Sequence, residues 1–312
     1  MPGIKIILRL IRLPNLLIIA SVLYLQRFCI ILPKLQNSGI DISRAGYGLI
    51  VFGTVLIAAG GYLVNDYFDI EIDAVNRPDR ADLLQSISQE ALKKVYFVVT
   101  LAGLASIALA CYLSGAYLLW FVYLLAALVL FWYSRHLKKL LILGNLAVAL
   151  ASAFTMPAAW LFDWLTLSGY NGTNPEFCFS CHEISIRIII YSIFAFFISF
   201  AREIIKDIED IEGDARFGCK SLPTVYGVMV AKRIIVSCFT LVLVMLCFWQ
   251  RDLYKANHPG IAVYLAIAVD LPIIWLSVLV FNIHTKAESH RAGLITKIIM
   301  VTGILSMLWF LI

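Results

Sequence analysis

Long apolar runs alternate with short charged clusters along this chain, and the alternation yields nine runs in all. They lie near Leu13–Leu32, Tyr47–Val64, Val95–Leu113, Tyr117–Tyr133, Leu140–Leu161, Ile184–Ala201, Val228–Trp249, Ile261–Ile283 and Ala292–Ile312. Each approaches the ~20 residues that a helix needs to cross a hydrocarbon core. The pattern predicts an all-α integral membrane protein, a bundle of nine transmembrane helices. Composition agrees: 62% of the 312 residues are hydrophobic and the mean hydropathy is +0.89, whereas soluble domains are roughly 45–50% apolar.

Charge orients the bundle. Lys5, Arg9 and Arg12 precede the first run in the manner of a secretory signal. That run is long, carries Gln26 and Arg27 at its far end and lacks a small-x-small cleavage site, so it reads as a retained helix. Counting connections alternately, 19 of the 25 Lys and Arg residues share the side of the N-terminus, and the other side has Arg27, Lys34, Arg44, Arg187, Arg251 and Lys255. The positive-inside rule then puts the N-terminus in the cytoplasm and the C-terminus outside. The net charge of +5 reflects basic loops beside anionic lipid. No stretch interleaves aromatic and basic residues as a nucleic-acid groove would.

Two acidic runs, both on the cytoplasmic side of this topology, carry the candidate chemistry. One is Asn65-Asp66-Tyr67-Phe68-Asp69-Ile70-Glu71-Ile72-Asp73, and the other runs from Glu203 through Asp207 and Asp210 to Asp214. Twelve of the 20 Asp and Glu residues fall within Asp66–Asp82 and Glu203–Asp214. At about 100° per residue, Asn65, Asp69 and Asp73 share a helix stripe, as do Glu203, Asp207, Asp210 and Asp214. Carboxylates so crowded repel unless a cation sits among them. Mg²⁺ suits the pattern, because it takes one or two carboxylates together with substrate phosphate oxygens. The inner connections 65–94 and 202–227 are the longest and are expected to be loops. One run follows the second span and the other the sixth, an offset that suggests two related four-helix halves plus a ninth helix, in a single domain over residues 1–312.

The two runs, with their flanks, resemble the UbiA superfamily of intramembrane prenyltransferases. Asn65-Asp66-x-x-Asp69-x-x-x-Asp73 followed by Asn76-Arg77-Pro78-Asp79-Arg80 is similar to its first aspartate motif. Ala201-Arg202-Glu203 through Gly213-Asp214, then Lys220-Ser221-Leu222-Pro223, is similar to its second. The wording of that second motif is most similar to the branch that prenylates geranylgeranylglyceryl phosphate. Arg12-Leu13-Pro14-Asn15, Tyr133, Lys138-Lys139 and Gly144-Asn145 match the family's habits as well. One stretch departs from them: after Arg80 the chain reads Ala81-Asp82-Leu83-Leu84-Gln85-Ser86-Ile87-Ser88, with no Pro, Gly or Arg.

The resemblance implies a cytoplasm-facing active-site cavity and Mg²⁺-dependent transfer of a prenyl group from an allylic diphosphate to a lipid acceptor. Prenylation of an aromatic quinone precursor is the alternative. Asn65, Asp69 and Asp73 would hold one Mg²⁺ and Asp207, Asp210 and Asp214 another, with Asp66 as a ligand or a supporting partner. Arg77, Arg80, Lys138, Lys139 and Lys220 would contact phosphate, and Asn15 and Tyr133 would line the substrate site. Tyr62, Phe68 and Tyr133 could shield an allylic cation with their ring faces. The partners implied are a prenyl diphosphate, its acceptor and membrane lipid, with no obligatory protein partner. No organelle-type extension precedes the first helix, so the expected location is a prokaryotic plasma membrane.

Two features fall outside that scheme. Asp270 is an intramembrane carboxylate two residues before Pro272: it is either functional or bonded to backbone that the proline frees. Cys178-Phe179-Ser180-Cys181-His182 spells the c-type haem signature, but the outer connection of ~20 residues offers no domain to bury haem, which leaves a disulfide or a thiol pair. A cation transporter would scatter ionisable residues through the membrane depth, and a non-catalytic scaffold has no use for intact aspartates, so the pattern favours an enzyme.

Overall fold

The computed structural model describes residues 9–36, 44–85, 87–167 and 175–311. Lys5, Ser86 and part of the outer connection (168–174) lie outside the described residues, as do the side chains of Arg44, Asp79 and Gln85. In chain order the helices are α1 (Leu13–Leu25), a π-helical stretch (Gln26–Ile31), α2 (Leu32–Gln36), α3 (Arg44–Asn76), α4 (Pro78–Gln85), α5 (Gln89–Ser114), α6 (Leu118–Arg135), a 3₁₀ turn (Leu137–Lys139), α7 (Leu143–Thr166) and α8 (Pro175–Glu209). There follow α9 (Ile211–Arg216), α10 (Leu222–Tyr226), α11 (Val228–Lys255), α12 (Pro259–Leu265), a second π-helical stretch (Ala266–Asp270), α13 (Leu271–Phe281), α14 (Lys286–Leu305) and a 3₁₀ end (Ser306–Leu311). Among the described residues, nine helical segments are long and apolar enough to cross a membrane.

The helices outrun the apolar stretches that announce them. The second span covers Gly46–Asn76, twelve residues beyond Val64, and the sixth covers Cys178–Glu209. The segments 65–94 and 202–227, expected to be loops, are therefore largely helical. A helix needs only its i→i−4 bonds to continue, and it carries polar side chains past the apolar boundary without penalty once they reach water or a partner. What stops α3 is Arg77-Pro78: proline lacks an N–H and disfavours the α conformation in the residue before it.

Chain contacts separate two compact units, Met1–Lys138 with Phe154–Ile189, and Lys139–Ala153 with Ile190–Ile312. This grouping differs from a division into four helices, four helices and one, because α7 and α8 each contribute to both units. In the first unit, Tyr47, Ile50, Ile107, Leu119 and Phe162 form the core. There α3 and α5 touch backbone to backbone, since a Cβ on Gly53 would stand 2.9 Å from the Gly103 carbonyl and one on Gly103 would stand 3.0 Å from the Gly53 carbonyl. Small facing residues permit this approach, which lipid alone does not drive.

The first unit also buries an ion pair, Arg27 with Asp163, whose side chains are 3% and 0% exposed. The guanidinium lies 4.5 Å over the Tyr47 ring, the Tyr47 hydroxyl donates to the Leu23 carbonyl at 2.8 Å, and the Gln26 amide donates to the Met156 carbonyl at 3.0 Å. These groups tie the π-helical stretch of the first span to α3 and α7.

In the second unit Ile204, Ile235, Phe239, Leu265 and Ile273 pack together. Buried Lys232 donates to the carbonyls of Phe281 (3.1 Å) and Ile283 (2.5 Å), closing the C-terminal end of α13. Pro272 cannot serve the carbonyl four residues before it, Ala268, and the Thr302 hydroxyl takes that acceptor at 2.8 Å. Tyr264 in turn donates to the Thr302 carbonyl at 2.9 Å. Asp270 is thus not the group that satisfies the proline's freed carbonyl; it accepts from the Gln250 amide at 2.7 Å.

A buried ion pair costs most when one member is removed. Asp163→Ala should lower stability by about 3–5 kcal/mol, while Arg27→Met with Asp163→Leu should recover most of the loss. Thermal midpoints of the detergent-solubilised variants check this; a double variant no more stable than Asp163→Ala would show that the pair is not the source of the loss.

Candidate active site

The first acidic run sits on the last turns of α3. Asn65 donates to Asp69 at 2.6 Å across one turn, and the other Asp69 oxygen forms an ion pair with Lys138 from the 3₁₀ turn after α6. Asp66 is fully buried and receives Arg80 on both oxygens, at 2.6 and 2.8 Å, and Arg12 at 3.3 Å. Arg80 also lies 3.8 Å from Asp73. The break at Arg77-Pro78 makes this possible, because α4 folds back and returns Arg80 to the α3 face, where it reaches from Asp73, one turn before the helix end, back to Asp66.

Two residues of this group, Arg12 and Asn15, come from the start of the first span. Arg12 has φ 54, a left-handed conformation uncommon outside glycine. Its guanidinium lies 4.8 Å over the Tyr62 ring as well as against Asp66. Asn15 donates to the Tyr62 hydroxyl at 3.3 Å. The Tyr62 ring face expected to shield an allylic cation is therefore occupied by Arg12. Phe68 meets Phe131 edge-on at 6.0 Å, and Tyr133 stands near the end of α6.

The unusual stretch after Arg80 also resolves physically. It forms α4, whose Ala81 and Leu84 are buried, and Leu84 packs with Leu10, Leu63 and Leu92. Ser88 then caps α5, accepting from the Ala91 N–H at 3.2 Å. A short helix with an apolar face replaces a Pro- and Gly-containing loop.

The second run lies at the end of α8. Asp207 accepts from the Asn145 amide at 2.7 Å. Glu203 pairs with Arg202 at 2.9 Å and Lys206 at 3.9 Å, and Glu209 meets His290 at 3.1 Å. The expected single stripe is broken: α8 ends at Glu209, Asp210 is a turn residue (φ −96, ψ 7), and Asp214 belongs to α9. The register nevertheless survives, because the Asp210 N–H still reaches the Lys206 carbonyl (2.9 Å) and the Asp214 N–H the Asp210 carbonyl (3.1 Å).

Lys139 and Lys220, far apart in sequence, are joined by a backbone bond from the Lys220 N–H to the Lys139 carbonyl at 3.2 Å, and both side chains are exposed. Between Lys139 and Asn145 lies a strained turn. Ile142 has φ 63 and the Leu143 N–H bonds the Leu141 carbonyl at 2.6 Å, the rare form of γ-turn.

Among the described residues, no three His, Cys, Asp or Glu side chains form a ready-made metal cage. The donor types nonetheless fit Mg²⁺: they are hard oxygens, and Asp69 already has a cationic partner in Lys138. Sequence reasoning omitted Arg12 and Asn145 from the site. Their roles depend on which distant side chain each meets, and residue type and spacing do not disclose that.

Residues 36–301 match the UbiA prenyltransferase family. The chain belongs to that family. It is 32% identical over 254 residues to the digeranylgeranylglyceryl phosphate synthase of Saccharolobus solfataricus, covering 81% of this chain and 80% of that one. A solved structure described as digeranylgeranylglyceryl phosphate synthase in membranes aligns over 98% of this chain and 99% of its own, with a TM-score of 0.62 and 22% identity. A UbiA homolog from Archaeoglobus fulgidus bound to GPP and Mg²⁺ aligns over 97% and 99%, with a TM-score of 0.57 and 15% identity. The chain is thus a multi-pass integral membrane prenyltransferase.

The Asp66 cluster yields a test. Arg80→Ala should lower the thermal midpoint sharply by stranding a buried carboxylate, and adding Asp66→Leu should restore most of it. If Arg80 served phosphate alone, the midpoint would hold and only substrate affinity would fall.

Proposed function

We propose that this prenyltransferase moves a geranylgeranyl group from its diphosphate to geranylgeranylglyceryl phosphate and releases diphosphate. The carrying observation is the 32% identity, over 81% of the chain, to a digeranylgeranylglyceryl phosphate synthase. The family match over residues 36–301 includes parts of both compact units, which supports reading residues 1–312 as one catalytic domain. The excess of Lys and Arg on the side of the N-terminus supports a cytoplasmic N-terminus and acidic runs, with the C-terminus outside.

In the reaction the bond from prenyl C1 to the diphosphate oxygen breaks, with both electrons leaving on the diphosphate. The acceptor hydroxyl oxygen then bonds to C1 and loses its proton. Bound Mg²⁺ supplies charge neutralisation of the departing diphosphate. Asn65, Asp69 and Asp73 would hold one ion, and Asp207, Asp210 and Asp214 the other. Asn145 orients Asp207 through its amide. Lys138 releases Asp69 and turns its ammonium to phosphate oxygen, a stronger acceptor of charge-assisted bonds. Arg77, Lys139 and Lys220 add phosphate contacts, with the exposed Lys139 and Lys220 suited to the acceptor's phosphate. Asp66 holds Arg80 and Arg12 in place rather than ligating metal. Asn15 fixes Tyr62, and Tyr133 lies against the prenyl group. Apolar helix faces around the tail keep water from intercepting the allylic cation.

Purified protein in liposomes with Mg²⁺ should convert labelled geranylgeranyl diphosphate and geranylgeranylglyceryl phosphate to a two-chain ether lipid. Asp69→Ala and Asp207→Ala should each lower the rate by on the order of 100-fold or more. Product from 4-hydroxybenzoate instead would keep the chemistry and replace the acceptor with an aromatic one.

A further inference from the structure

The motif Cys178-Phe179-Ser180-Cys181 takes no part in prenyl transfer as proposed. It lies in the first turns of α8, at the opposite end of that helix from Asp207. Both residues carry thiols; Cys178 is exposed and Cys181 is buried. Positions i and i+3 share a helix face, with Cα atoms about 5 Å apart, inside the 4.4–6.8 Å window of a disulfide.

Their place in the helix decides whether that bond can form. In a helix interior, drawing two Cβ atoms together would break backbone bonds. The first four N–H groups of a helix have no intrahelical partner, Pro175 has no N–H at all, and Cys178 is the fourth residue of α8. The first turn can tighten toward 3₁₀ geometry at little cost in hydrogen bonds. From Cys181 onward the helix is pinned. Ser185 donates to the Cys181 carbonyl at 2.8 Å and accepts from the Trp160 indole at 3.0 Å, while Glu183 pairs with Lys34. One thiol therefore rides on an adaptable turn exposed to reagents, and the other is held still beneath it.

We propose that Cys178 and Cys181 are a redox-active dithiol that cycles between two thiols and an intrahelical disulfide. Cys178 attacks an external disulfide and forms a mixed disulfide, releasing one external thiol. Cys181 displaces the second external thiol and closes the Cys178–Cys181 bond. The pair loses two electrons and two protons, and the external disulfide gains both. Because the bond would form at Cys178 on an exposed helix turn, external thiols can reduce it, which is the property of a switch rather than of a structural cross-link. The inference is independent of the prenyl acceptor.

The test uses full-length protein in lipid nanodiscs, equilibrated with reduced and oxidised glutathione at graded ratios, then alkylated and analysed by peptide mass. Both thiols should disappear together at one midpoint ratio and return on reduction. Cys181→Ser should trap glutathione on Cys178, whereas Cys178→Ser should leave Cys181 unmodified under the same conditions. Both variants should retain prenyl transfer, which shows that they fold. Independent oxidation of the two thiols, or glutathione trapped at Cys181 instead, would overturn the proposal. Protection of both thiols by stoichiometric Zn²⁺, lost in His182→Ala, would also overturn it in favour of a metal site.

Discussion

The first acidic run depends on one buried charge. Asp66 is fully shielded from solvent, and an isolated carboxylate there would cost several kcal/mol in lost hydration. Arg80 and Arg12 repay that cost only because they arrive from both sides of α3, one from the returning α4 and one from the strained turn before α1. That anchoring fixes the end of the second span against the start of the first. It also leaves Asn65, Asp69 and Asp73 on the neighbouring stripe, with Asp69 meeting Asn65 and Lys138 and Asp73 lying 3.8 Å from Arg80.

Such a cluster explains why two residues of one motif part company. Asp66 and Asp69 are three residues apart and chemically identical, yet one is buried between two arginines and the other meets the Lys138 ammonium near the helix end. Spacing in sequence identifies the stripe, and burial assigns the role. The second run obeys the same division. Asp207 takes an amide donor from Asn145, which orients the carboxyl group, whereas Glu203 is paired with Arg202 and Lys206.

The fold was legible where the physics is local. Nine apolar runs foretold nine spans because a chain in lipid must satisfy its backbone internally, and the first span, read as Leu13–Leu32, extends as Leu13–Leu35. The reading faltered where hydropathy stops and helicity does not, hence the loops expected at 65–94 and 202–227. Both π-helical stretches were invisible, since nothing in Gln26–Ile31 or Ala266–Asp270 marks a one-residue widening of the helix. At the site, residue types and periodicity exposed the aspartates. Arg12, Asn145 and the strained Ile142 were not legible as site residues, because their meaning lies in contacts across the fold.

Four polar contacts inside the spans share one arrangement. Gln26 reaches the Met156 carbonyl, Thr302 takes the carbonyl that Pro272 leaves unserved, Lys232 caps α13, and Gln250 meets Asp270. Each joins two spans, and none joins neighbours on the same turn. In lipid the apolar contact between helices has no water to escape from, so packing alone discriminates weakly between one register and the next. A polar group that finds its partner in only one register does discriminate, because every wrong register leaves it unsatisfied in hydrocarbon. Asp270 therefore needs no catalytic duty to account for its place. Its pairing with Gln250 sets α11 against the eighth span, just as Arg27 with Asp163 sets the first span against α7, and the two aspartate runs stand apart from these anchors at the helix ends.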